Sequence, residues 1–135
     1  MASYVKINSF IENLAEKKID LSGAELTVAL TNTAHEDAWD ELADLTQVEY
    51  TNCSSRVLTV SSSSQTGGTY KLVLADLTLT ATGDVGPFRY IYIYDDGSTG
   101  DKLIAYYDYG SSITLHNGET FKIDFSADDG ALTLA

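Results

Sequence analysis

The sequence predicts a mainly-β chain, an antiparallel β-sandwich or barrel-like fold of about eight strands with one N-terminal α-helix. Three observations carry that expectation. Residues 88–109 read FRYIYIYDDGSTGDKLIAYYDY, two apolar runs around an Asp/Gly/Ser loop, which is the pattern of a hairpin. Along the first run Phe88, Tyr90, Tyr92 and Tyr94 share one parity, and Arg89, Ile91 and Ile93 the other. A period of two sends these sets to opposite faces of a strand. Turn signals then recur every roughly 8 to 12 residues, the spacing of a sandwich or barrel.

The chain of 135 residues fits one domain, 1–135, with the helix at about 3–18 and the sandwich at about 24–135. Val5, Ile7, Phe10, Ile11, Leu14 and Ala15 recur at helical spacing, with Ser3 placed as a cap. Ser22-Gly23 interrupts, and Glu25 to Thr31 alternates as a strand. Residues 32–46 read as an acidic loop anchored by Trp39, with Thr33 and Glu36 at capping-box spacing ahead of a short helix. Strands follow at Arg56–Ser61, Tyr70–Thr82, Phe88–Tyr94, Leu103–Asp108, Ser112–Leu115, Thr120–Phe125 and Ala131–Leu134. Residues 61–68, SSSSQTGG, contain no apolar residue and read as a hairpin tip. Gly83 to Pro87 and Asn117-Gly118 read as turns.

Composition narrows the function. Twenty acidic residues against eight scattered basic ones give a net charge of −12, which repels nucleic-acid phosphates and anionic membrane surfaces. No apolar run approaches the roughly 20 residues of a membrane-spanning helix. The single cysteine, Cys53, excludes an internal disulfide. With no charged-then-apolar leader at the start, a reducing cytoplasm is the expected place of synthesis.

Chemical motifs fail one by one. His35-Glu36-Asp37 resembles half a zinc motif, but Trp39 stands where the second histidine belongs, and His116 is the only other histidine. Residues 95–101, DDGSTGD, offer oxygen ligands without the alternation or distal glutamate of a calcium loop. Asp76, Asp108 and Asp124 are the carboxylates flanked by apolar residues, and no partner in sequence makes any of them an acid or base. Neither a catalytic set, a metal nor a cofactor is expected. The tyrosines remain, with three readings in order: sheet core, protein interface, sugar-stacking platform.

Taken together, LTVALTNTA (26–34), YTNCSSR (50–56), GTYKLVLADLTLTATGDVGPFRYIYIYDD (68–96) and YYDYGSSITLHNGETFKIDF (106–125) resemble a family of small structural proteins of tailed bacteriophages. The opening MASYVKINSFIENLAEK is similar to that family's N-terminal helix. The resemblance implies a head decoration (cement) protein, made in the host cytoplasm and held on the capsid exterior. Its implied partners are the major capsid protein and itself, as a homo-oligomer with a trimer favoured, and neither nucleic acid nor membrane. No active-site residues come with it. Tyr4, Val5, Ile7, Phe10, Ile11, Trp39, Tyr90, Tyr92 and Tyr94 are the expected interface residues. A tail or baseplate component and a glycan-binding adsorption module are the alternatives.

Overall fold

The computed structural model describes residues 3–22 and 25–135; Gly23 of the expected Ser22-Gly23 break lies outside them. Nine strands occur among the described residues: β1 (Ser3–Lys6), β2 (Leu26–Thr31), β3 (Val60–Thr66), β4 (Thr69–Leu74), β5 (Leu77–Thr80), β6 (Val85–Asp95), β7 (Lys102–Leu115), β8 (Thr120–Ile123) and β9 (Leu132–Leu134). One short helix, α1 (Phe10–Ala15), follows β1. The strands form antiparallel sheets in the orders β1-β7-β6-β2, β3-β4-β9 and β5-β8. The mainly-β expectation holds.

The central sheet is built on the long hairpin β6–β7, in register from Asp95↔Lys102 to Val85↔Leu115. Ile91, Ile93, Tyr92 and Tyr94 are all buried, so β6 is apolar on both faces, as its sequence indicates. On one face Tyr107 stands opposite Ile91 and reaches the ring of Phe125, 6.3 Å away. Phe121 on β8 meets Phe88 and Tyr109 edge-on, both at 5.4 Å. The β5–β8 pair therefore closes over this sheet. Leu72, Leu74 and Leu79 bring the smaller sheets into one continuous core with Val28, Leu30 and Ile93.

Several elements differ from their sequence expectations. The helix does not span 3–18. Tyr4, Val5 and Lys6 run in register with Tyr107, Tyr106 and Ala105, because the 5–7 alternation also satisfies a strand and β7 supplies the partner. Helix α1 starts after Ser9, not Ser3, and ends where Lys17 turns left-handed (φ 64°) and Lys18 donates its N–H to the Asn13 carbonyl. The Ser-rich stretch is strand β3, paired from Ser62↔Val73 to Thr66↔Thr69, and only Gly67-Gly68 forms the tip. Its backbone pairs with β4 while most of its side chains face solvent, so it carries no apolar alternation.

The stretch Tyr70–Thr82 is not one strand. It breaks at Ala75-Asp76 between β4 and β5, where Ala75 donates to the Thr59 carbonyl and Asp76 accepts from the N–H of Phe125. Conversely, Leu103–Asp108 and Ser112–Leu115 belong to the single strand β7. Residues 56–58 do not open β3. They bond to the outer edge of β2, through Val28 to Arg56 and Leu58 to Leu26. The acidic loop closes with a capping box made by Glu41 and Asp44 around a single 3-10 turn, Leu42–Asp44, instead of by Thr33 and Glu36.

Candidate functional site

Three places on the fold combine long-range contacts with functional side chains. The first lies on the face of the central sheet covered by the acidic loop. Tyr92 and Tyr106 are cross-strand neighbours with rings stacked at 5.1 Å, and His35 stacks on Tyr106 at 4.4 Å. Trp39 closes on His35 edge-on at 5.4 Å, and His35 Nδ1 meets the Tyr92 hydroxyl at 2.8 Å. Burial lowers the His35 pKa, against the opposing pull of Asp37 and Glu36. Burial also raises that of Tyr92, helped by Tyr106 and Tyr90. These groups therefore rest as neutral imidazole and phenol, a packed polar contact with no reactive ion.

The second place is a polar knot at the loop's far end. Lys102, whose side chain is 13% exposed, sits 2.7 Å from both Asp40 and Glu41. Asp40 also accepts hydrogen bonds from Ser9 and from the buried Asn13. Burial alone would raise the Asp40 carboxyl; the bonds from Lys102, Ser9 and Asn13 outweigh it and bring its pKa down to about 2. Backbone bonds from Leu103 to Asp40 and from Leu42 to Asp101 lay the loop along β7 next to β1. This network fastens loop, helix and hairpin.

The third place is the outer edge of β1. Ile7 donates to the Ile104 carbonyl at 3.1 Å, so by alternation Val5 directs its backbone groups at β7. Those of Tyr4 and Lys6 point outward, and no described residue pairs with them. Tyr4 and Val5 are 40% and 39% exposed, and Ile11 on α1 41%. Beside this edge a depression of about 400 Å³ runs between Tyr4, Lys6 and Phe10 on one side and residues 129–134 on the other. A second, of about 520 Å³, lies between α1 and Tyr70. Leu134 lines both, and neither gathers the convergent ionisable groups that a reaction needs.

The expected interface residues therefore separate. Tyr4, Val5 and Ile11 are exposed, and Tyr90 and Trp39 are half-buried. Ile7, Phe10, Tyr92 and Tyr94 are buried in the protomer's own core and have no surface to offer a partner or a sugar. Tyr90, Tyr92 and Tyr94 keep an unbroken register with β2, while the shift between Phe88 and Tyr90 sets Phe88 apart against Phe121; the ring stacking itself runs across strands to Tyr106 and His35. No sequence signal joined His35 to residues 57 positions away.

The chemical candidates are spoken for. Asp108 forms a bidentate pair with Arg89, and Asp76 holds the Phe125 N–H and Lys122. His116 pairs with Asp84 at the surface, remote in contacts from His35. In the hairpin loop Asp95 accepts from the N–H groups of Asp20 and Gly97, a structural task. Burial raises the Cys53 thiol, opposite to the shift of a nucleophile, although Arg56 pulls it down. No group of metal-ligating side chains forms among the described residues.

Compared with protein-family models, curated proteins and solved structures, the chain matches none.

Proposed function

We propose that this chain is a non-enzymatic structural protein of a tailed-phage virion, binding the outside of the capsid and stabilising its lattice. The observation that carries the reading is the open edge of β1. There, an otherwise acidic protein offers unpaired backbone and the exposed side chains of Tyr4 and Val5. The phrasing of 26–34, 50–56, 68–96 and 106–125, similar to small phage structural proteins, supplies the context. A protein that binds the assembled lattice and not its free subunits stabilises the closed shell by mass action. Modest contacts suffice when repeated over a symmetric particle. The charge of −12 suits an exterior position, away from packaged DNA.

Cryo-electron microscopy of the particle that carries the chain tests this. Density on the outer capsid surface, at hundreds of copies, is the expected result. Roughly six to twelve copies at the tail would replace it with the tail or baseplate reading. Deleting residues 1–18 is a poor probe of docking, because it strips Ile7 and Phe10 from the core. Heads lacking the protein, incubated with the Val5→Glu variant, give the cleaner comparison with wild type.

A further inference from the structure

We propose that the open edge of β1 is the contact between two copies of this chain, paired antiparallel about a two-fold axis through Val5. The backbone sets the register. Because the free N–H and C=O groups belong to Tyr4 and Lys6, only these can form the hydrogen-bonded pairs of a new ladder. An antiparallel pair centred on Val5 sets Tyr4 opposite Lys6 of the second copy, and Lys6 opposite its Tyr4. Each such pair exchanges both backbone bonds, and Val5 meets its own copy on the axis. Two-fold pairing extends the sheet as β2-β6-β7-β1 followed by its mirror order, and leaves no donor of the edge unsatisfied. It yields a dimer, not the three-fold assembly favoured from the resemblance.

Side chains point to a second copy as the occupant. Tyr4 and Lys6 share a parity, so in this register each phenol ring lies beside an ammonium group of the other copy on the same face. Residues 1–11 contain no carboxylate, although the chain has twenty, so the paired segments add no repulsion of their own; nearby, Asp108 opposite Ser3 is held by Arg89, and Asp129 lies across the depression. Among the described residues, three of the five large exposed apolar ones, Tyr4, Val5 and Ile11, also fall in this stretch. Residues 129–134 lie across a depression from Tyr4 and Lys6, and none of their described backbone groups bonds to β1. The outer edge of β2, by contrast, is already bonded by Val48, Arg56 and Leu58 of its own chain. With the edge taken up by a second copy, capsid contact falls to exposed surface outside it, such as Ile11 of α1, and the pairing itself rests on no capsid contact.

Light scattering on the purified full chain, from about 1 µM to 1 mM, reads the association directly. The expected result is a concentration-dependent dimer. Val5→Glu places two carboxylates on the axis, and Lys6→Pro removes an outward N–H without touching the ladder to β7. Each should weaken association at least tenfold while leaving the circular dichroism spectrum unchanged. Val57→Glu, at an exposed residue beside β2 on the opposite edge of the sheet, should leave it intact. In a Cys53→Ser background, Val5→Cys should cross-link under oxidation and Tyr4→Cys should not. A wild-type monomer throughout the range, or a dimer that survives both Val5→Glu and Lys6→Pro, overturns the proposal. A monomer that still coats heads would overturn it while sparing the capsid reading; a dimer that never binds heads would do the reverse.

Discussion

The Nδ1 of His35 lies 2.8 Å from the hydroxyl of Tyr92, tying the acidic loop to the middle of the central strand. Tyr92 is fully buried, so its hydroxyl has exchanged water for this one imidazole. Replacing His35 by Ala leaves that hydroxyl unsatisfied and should cost about 1–3 kcal/mol in urea denaturation. Tyr92→Phe together with His35→Ala should cost less than the sum of the single variants, since removing both partners strands neither. Additive effects would mean the contact contributes nothing.

Stability should also fall as the solution is acidified through the range in which an unfolded His titrates. Burial holds the pKa of His35 below its ordinary 6.5, despite Asp37 and Glu36, so the folded chain resists a proton that the unfolded chain accepts. Its contribution is fully present above about 6.5 and is lost as pH drops toward the lowered folded value. Exposed His116 acts in the opposite sense. Asp84 raises its pKa, so its contribution is present below the unfolded value and fades as pH rises. Thermal melts of wild type and His35→Gln between pH 7.5 and 5 check this; the variant should show the shallower acid slope.

Lys102→Met should loosen the knot that fastens loop to hairpin. Asp40 and Glu41 would then face each other without their shared cation, at a cost of about 1–2 kcal/mol given their partial exposure. The carboxyl of Asp40, held at about 2, should climb toward the ordinary aspartate range, read by NMR titration of its side-chain carbon. An unmoved titration would mean that Ser9 and Asn13 hold it alone.

Gly130 sits at φ +78°, where an added Cβ would stand 2.8 Å from the Leu72 carbonyl oxygen. Gly130→Ala should therefore strain the turn that seats β9 and destabilise the fold by about 1–3 kcal/mol. Gly118→Ala is the comparison: its φ is also positive, but nothing lies within 4 Å of the new methyl. The difference between the two isolates the clash from the backbone conformation.

What could be read from the sequence was what had a periodic cause. Residues 91–94 read as an unbroken apolar run because both faces of β6 are buried there, and Trp39 stands out as the apolar anchor of an acidic loop. Strand β3 could not be read, because its Ser and Gln side chains face water and only its backbone declares it a strand. Residues 3–7 satisfied two periods at once, and the choice was made by β7, about a hundred residues away. The stack of His35 on Tyr106 and the Lys102 knot depend on the same distant closure. The open edge of β1 was hidden for that reason too.

The pairing of Ser3 with Asp108 also sets a timetable. On the ribosome, β1 emerges about a hundred residues ahead of β7, which at about 5–20 residues per second means roughly 5–20 s without its native neighbour. During that interval Tyr4, Val5 and Ile7 are an unclaimed strand, and the dense acidity of the following segments keeps nascent chains on one polysome apart. The position of the edge strand thus makes the order of synthesis part of how the molecule reaches its fold.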